Sequence, residues 1–445
     1  MNRVIEDKLP LFRNTVSTLF LAGALCTSAH GMDLSEAIAQ TLSSNPEILA
    51  QLREADARNR QVREALGGFY PDVDLLAGIG FQERDPTNQG FINAPGRTRN
   101  ELERSETQLN VRQMVFDGFN TWNEYQNQKS REESAQHRAI AVAEQISLDA
   151  IEAYLEVLKR EEIYNLAQST LAFHQDIFDR MQKRSDSGVG SRADFDQISG
   201  RLALANTNLY NARANLINAK TNFQRVVGEY PEPANMTTPT SVSAQLPGSV
   251  EEAIAKAVES HPIVQVAMSD INGVQFQYEQ TKSPYYPELY VDVERDLNKN
   301  IDGIEGQVDD LRVMLRMRYN LYNGGSDQAR KQQFAHLVEK AREIRNNAVR
   351  QVEQEVRLAW IAREILVDQM PSLQAHVRDS AATKNAYINQ FDLGRRTLLD
   401  LLNTENENIT AQQALISAKY DIVFNEFRIF QSMGQLMPVL GASFQ

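Results

Sequence analysis

The sequence predicts a mainly α-helical chain that also carries membrane-type β-strands and is built by internal duplication. Three observations predict this class: a repeat at a nearly constant offset, two very long helical stretches, and four strands alternating apolar with polar residues.

The repeat organises everything else. "LSEAIAQTLSSNPEI" at Leu34 matches "VEEAIAKAVESHPIV" at Val250. Pro46 and Pro262 lie 216 apart, as do the pairs Tyr70-Pro71 and Tyr286-Pro287. Beyond them, "VFDGF" matches "LYNGG", and Gly118 and Gly324 differ by 206. Gly188 and Gly394, Asp194 and Asp400, and Gly228 and Gly434 keep that second offset. The first copy therefore holds ten extra residues between Tyr70 and Gly118, which places an exposed loop there. Residues 229–249, "EYPEPANMTTPTSVSAQLPGS", hold four prolines and read as a linker. The expected organisation is 30–228 for the first copy, 229–249 for the linker, 250–434 for the second copy and 435–445 for a C-terminal tail.

Residues 1–29 read differently. Arg3, Lys8 and Arg13 precede the apolar run "TVSTLFLAGALCTSA", and Thr27-Ser28-Ala29 closes it with small residues. That is the pattern of a secretory signal peptide cut near Ala29 or Gly31, with a short anchor or buried helix as the alternative. Cys26, the only cysteine, lies inside it, and Leu25 before it is too large for a lipoprotein site. The mature chain is thus expected to be unlipidated and free of thiols, which suits an oxidising compartment.

Each copy then follows one plan. A helical stretch, from Leu34 to about Leu66 in the first copy, ends near the Tyr-Pro pair, and two strands follow (about 72–116 and 288–322). Next come long helical stretches over 120–186 and 325–391, glycine turns near 188 and 394, and last helices ending at Gly228 and Gly434. Ile151, Tyr154, Leu155 and Leu158 mark one helical face, and Trp360 matches Tyr154 in the second copy. A helix over 120–186 is roughly 100 Å long at about 1.5 Å per residue. Pro371 is expected to bend its counterpart.

In the strands, Val73, Leu75, Ala77, Ile79 and Phe81 share one face, with Asp74, Gly78, Gly80 and Gln82 on the other. Leu109, Val111 and Val115 oppose Gln108, Asn110 and Arg112; Leu289, Val291 and Val293 oppose Asp292 and Glu294. Leu311, Val313, Leu315, Met317, Tyr319 and Leu321 oppose Arg312, Arg316, Arg318 and Asn320. One such strand fits a half-buried soluble sheet, but four fit an outer-membrane barrel with a lipid side and a lumen side. Four strands close no useful barrel and open edges are not tolerated in lipid, so several chains must share one.

Composition excludes other functions. A net charge of -13 argues against nucleic acid as a partner, and the six histidines show no metal-ligand spacing. No phosphate loop, dinucleotide fingerprint or cysteine nucleophile is present, so the chain does not read as an enzyme.

The duplicated plan, the Tyr-Pro joins and the stretches "YPDVDL", "VFDG", "GRRTLLDLLN" and "GVGSRADFDQ" resemble the TolC family of outer-membrane channel-tunnels over essentially the whole mature chain. The resemblance implies a homotrimer in the outer membrane of a Gram-negative bacterium. Its 12-stranded β-barrel, four strands per chain, would continue into a 12-helix α-barrel across the periplasm. The residues themselves point to no cofactor and no metal. The resemblance also implies that the periplasmic helix turns close like an iris. Arg396 matches the family's latch arginine, Asp194 its aspartate partner and Asp400 the first constriction aspartate. Phe391 replaces a latch tyrosine, Asn403 a second constriction aspartate and Ala193 a small hydroxylated partner. Without the family, these charges would simply solvate and cap a helix turn. The turns Gly188-Val189 and Leu393-Gly394 match docking points for a periplasmic adaptor protein. "FYPDVDLLAGIGFQERD" is similar to the type I secretion branch, which exports large adhesins with an inner-membrane ABC transporter engaged through the adaptor. Drug or metal efflux is the alternative, and a soluble coiled-coil scaffold a remote one.

Overall fold

The computed structural model describes residues 32–84, 100–188 and 191–441. The signal segment with Cys26, most of the first outer loop, Val189 and the end of the tail lie outside the described residues.

The chain opens with α1 (Leu34–Ser44) and α2 (Pro46–Gly67), then strands β1 (Asp72–Arg84) and β2 (Asn100–Asp117), then α3 (Asn120–Asp186) and α4 (Arg192–Val227). The order repeats as α5 (Val250–Ser260), α6 (Pro262–Gln280), β3 (Glu288–Lys299), β4 (Gln307–Arg318), α7 (Ser326–Asp392) and α8 (Leu398–Ser432), with a short α9 (Leu436–Val439) at the end. The stretch read as one helix from Leu34 is two. Pro46 cannot donate back into the first helix, and the Asn45 side chain accepts from Glu47 N at 3.0 Å to start the second.

The helices α3 and α7 each run 67 residues, roughly 100 Å. Pro371, the position expected to bend the second long helix, lies inside α7, which is helical on both sides of it. Pro371 is solvent-exposed, and Val367, whose carbonyl the proline leaves unpaired, is 39% exposed, so water can satisfy that oxygen.

Linker residues 229–249 form two short 3-10 turns laid against the helices. The buried Tyr154 hydroxyl lies 2.9 Å from Met32 O and 2.8 Å from Thr237 O, with one proton to donate between them, and accepts from Thr237 N at 3.0 Å. Glu426, 1% exposed, accepts from Ser241 Oγ (2.7 Å), Val242 N (3.0 Å) and the Arg363 guanidinium (3.2 Å). The main apolar core lies at this level, where Ile151, Tyr154 and Phe223 pack with Phe427 and Phe430.

Nearby, the Glu144 carboxylate on α3 takes the backbone N–H groups of Leu436 and Met437, both at 3.0 Å. Burial pushes this acid up to about 7, against the pull of those two donors. His261, buried at the start of α6, is pushed down to about 4 by the same loss of water.

The strands form one antiparallel sheet in the order β1-β2-β3-β4, so β1 and β4 have open edges. Among the described residues, no helix is long and apolar enough to cross a membrane.

Candidate channel wall and gate

The sheet is turned inside out relative to a soluble one. Its apolar face is bare: Ile79 is 91% exposed, Phe81 85% and Met317 69%, and Val73, Leu75, Leu311, Val313 and Leu315 are exposed with them. The polar face is knitted across the strands. Asp292 on β3, 5% exposed, receives Arg112 from β2 at 2.8 Å and Arg316 from β4 at 2.7 Å. Arg312 bridges Glu294 at 3.0 Å and also holds Asp296, while Gln108 donates to Glu294. A soluble sheet would cover its valines and leucines and leave its charges to water. An apolar face of this size without cover suits lipid.

Where the wall meets the long helices, Gly118 and Phe119 both take left-handed backbone angles, at φ +67°. A Cβ on Gly118 would lie 2.6 Å from Ser283 O. Phe119 holds this unfavourable conformation packed edge-on against Phe116 (5.3 Å) and Tyr286 (6.0 Å). The second copy makes the same turn with Gly324 and Gly325.

At the far end, α7 stops at Asp392. Gly394 takes φ +69° and donates to Phe391 O at 3.0 Å, and Arg395 N donates to Gln390 O at 2.8 Å. That pair of bonds is a Schellman stop, which requires the left-handed glycine. Thr397 then caps α8: its Oγ1 accepts from Asp400 N at 3.2 Å and donates to the Asp400 carboxylate at 2.9 Å. Arg396, between stop and cap, donates to Gln390 Oε1 at 2.9 Å and stacks 4.3 Å above the Tyr387 ring. It also lies 3.9 Å from Asp400.

Within one chain Arg396 and Asp400 are therefore together, and Asp194 is apart. Asp194 sits in the first turn of α4, where Ser191 makes no capping bond, and has no ion pair among the described residues. Asn403 is exposed on α8. Gly188, at φ +75°, donates to Ser185 O at 3.0 Å as Gly394 does to Phe391 O, and Leu393 stands 70% exposed at the tip.

Phe391 faces inward. It is 4% exposed, packed with Met181, Leu398 and Leu401, and covered by the Arg184 guanidinium at 5.0 Å. The aromatic that meets Arg396 is Tyr387, one helical turn earlier. The sequence reading missed Tyr387; its signal was the four-residue spacing to Phe391. It also missed Lys384, which pairs with the buried Glu405 at 2.6 Å and lies 4.7 Å over Phe173, and Arg180, which reaches Asp392 at 3.0 Å.

A lipid-facing wall carried on helices of about 100 Å, with a packed turn at their far end, defines a membrane channel subunit. The sequence profile of outer membrane efflux proteins matches residues 37–229 and 253–435. The chain belongs to this family, the family of TolC. BepC, an outer membrane efflux protein of Brucella suis, is 25% identical over 330 residues, covering 74% of this chain and 72% of its own. AprF, the alkaline protease secretion protein of Pseudomonas aeruginosa, is 22% identical over 400 residues, covering 88% and 82%. The Campylobacter jejuni CmeC outer membrane channel shares the fold, with a TM-score of 0.80 at 12% identity over 91% of this chain and 86% of that one. Proteins of this family are passive conduits and not enzymes, and the chain is an outer-membrane channel protein of that kind.

Proposed function

We propose that three copies close into one 12-stranded barrel continuous with a 12-helix tunnel through the periplasm, and that this tunnel exports a large protein, an adhesin. The observation that carries the assembly is the sheet itself. Its apolar face is exposed and both its edges are open, a state that lipid does not tolerate until further copies pair with them. The two copies within the chain, 30–228 and 250–434, each supply one strand pair and one helix pair. Energy and cargo choice reside in an inner-membrane ABC transporter, reached through a periplasmic adaptor protein that docks at the turns Gly188-Val189 and Leu393-Gly394.

The gate is the tip. Arg396 and Asp194 link neighbouring helices in the closed assembly, Asp400 lines the constriction, and Asn403 makes it one acidic ring poorer. Phe391 serves the gate as packing beneath the turn. An exposed ion pair contributes only about 0.2–1 kcal/mol, so a few such pairs bias the closed state and leave opening to a partner.

AprF supports secretion as the task, and BepC supports the second reading, efflux of small molecules. The surface and secreted proteomes of a deletion strain and its parent separate them. Loss of one very large surface protein supports secretion. Unchanged proteomes with raised drug or dye accumulation support efflux.

A further inference from the structure

We propose that β1 of one copy pairs with β4 of the next in a single register, with Ala77 opposite Met317. This rests on the reading that copies share one barrel, and it names the seam between them.

The duplication supplies the register. In the first hairpin Asp72 faces Arg112 and Val73 faces Val111. Moving β1 forward by 216 and β2 by 206, the two repeat offsets, gives Glu288 facing Arg318 and Leu289 facing Met317, the pairs present in the second hairpin. The hairpins are thus copies down to their rungs. The junction between them, β2 with β3, is then the template for the junction between chains, β4 with β1.

In that template Val111 faces Val293, Leu109 faces Arg295 and Thr107 faces Leu297. The same offsets convert these rungs to Met317 facing Ala77, Leu315 facing Ile79 and Val313 facing Phe81. Continuing toward the helices, Tyr319 faces Leu75 and, past the bulge that the template carries between Met114 and Phe116, Tyr322 faces Val73. Every outward residue of β1 from Val73 to Phe81 then meets an apolar partner, which makes one unbroken lipid-facing seam. A one-residue slip turns the polar face of one strand to lipid. A four-residue slip toward the loops sets Phe81 against Asp309, which is bound to Arg295 at 3.0 Å. A two-residue slip keeps the seam apolar, and the repeat decides against it.

The polar face adds an independent observation. The template junction is held by Arg112 and Asp292, whose equivalents between chains are Arg318 and Leu76. The direct pair is lost there. Among the described residues of one chain, Arg318 and Asp74 each lack an ion pair, and each sits on the polar side of an open edge strand. In the proposed register they are diagonal neighbours, within reach of a long side chain. The seam thus carries a diagonal pair in place of the direct one.

The test is cysteine cross-linking of the full-length protein in native membranes, read as covalent dimers and trimers on non-reducing gels. The parent chain, which has only Cys26, and each single variant serve as controls. Facing residues hold their Cβ atoms about 4.5–5.5 Å apart, which a small backbone adjustment brings into disulfide range, whereas diagonal neighbours stand roughly 7–8 Å apart. Ala77→Cys with Met317→Cys, and independently Ile79→Cys with Leu315→Cys, should each yield about fivefold more cross-linked product than Ala77→Cys with Leu315→Cys. Preferential linkage of the Ala77→Cys, Leu315→Cys pair overturns the register and leaves the shared barrel standing. Absence of all linkage in extracted particles of three-copy mass places the seam elsewhere and also overturns it. A one-copy mass removes the assembly itself, and the register with it.

Discussion

The chain builds its tip turn twice, and the two versions differ in how firmly they are made. In the second copy, Leu398, Leu401 and Leu402 are all buried, Thr397 caps the helix, and Lys384 pairs with Glu405. At the matching positions the first copy has Arg192, Phe195 and Asp196, a Ser191 that forms no cap bond, and Phe178 with Ser199. Of these, Phe178 and Phe195 pack together at 5.3 Å, and Arg192 pairs with Asp196 in the open. Duplication gave both turns the same glycine stop. The difference teaches that the same glycine position can be set in very different packing: the described residues after the second turn are capped and buried, and their counterparts in the first copy are largely exposed.

The largest expected effect is on the tip core. Leu401→Ala should cost about 3 kcal/mol, because the site is closed on every side, whereas Phe195→Ala, half-buried, should cost about 1 kcal/mol. Comparable losses in thermal midpoint would break the comparison.

The copies differ at the level of the linker too, where Glu144 in the first copy matches the exposed Arg350 in the second. The folded-state pKa of Glu144 is raised to about 7, so the folded state holds this proton more tightly than the unfolded chain does. Its contribution is fully present below the ordinary carboxyl pKa and is lost as pH rises through about 7, on the order of 3 kcal/mol in all. Glu144→Gln should flatten that part of the stability–pH profile. An unchanged slope would assign the pH dependence to other groups.

The caps come next. Thr397→Ala should cost about 1 kcal/mol and Ser191→Ala a few tenths at most, since only Thr397 makes the bond. Equal losses would mean that Ser191 caps its helix in the assembled protein.

Much of this was legible in the sequence because it is local. The bounds of α3, the glycine stops and the two faces of each strand follow from hydrophobic period and turn chemistry along one segment. What was missed depends on contacts distant in sequence. Phe391 was singled out because it stands where the family resemblance places a latch tyrosine, but packing against Met181 on α3 turns its ring inward and leaves Tyr387 beside the arginine. Glu144 looked like one more charge on a long helix, because its partners, Leu436 and Met437, lie near the other end of the chain. Residues 229–249 read only as a linker, because Tyr154 and Glu426, which strap them down, stand far from them in sequence.

Arg396→Ser should have the smallest effect on stability, below about 1 kcal/mol, because its ion pair is long and exposed. Its effect on the gate should be larger than its effect on the fold. Single-channel recording of the purified protein in planar bilayers is therefore the most direct test of the account. The account predicts small discrete steps for the parent and larger ones for Arg396→Ser and for Asp194→Ala. Steps of unchanged size in both variants would contradict the gate at this tip, and the absence of discrete steps in the parent would contradict the channel itself.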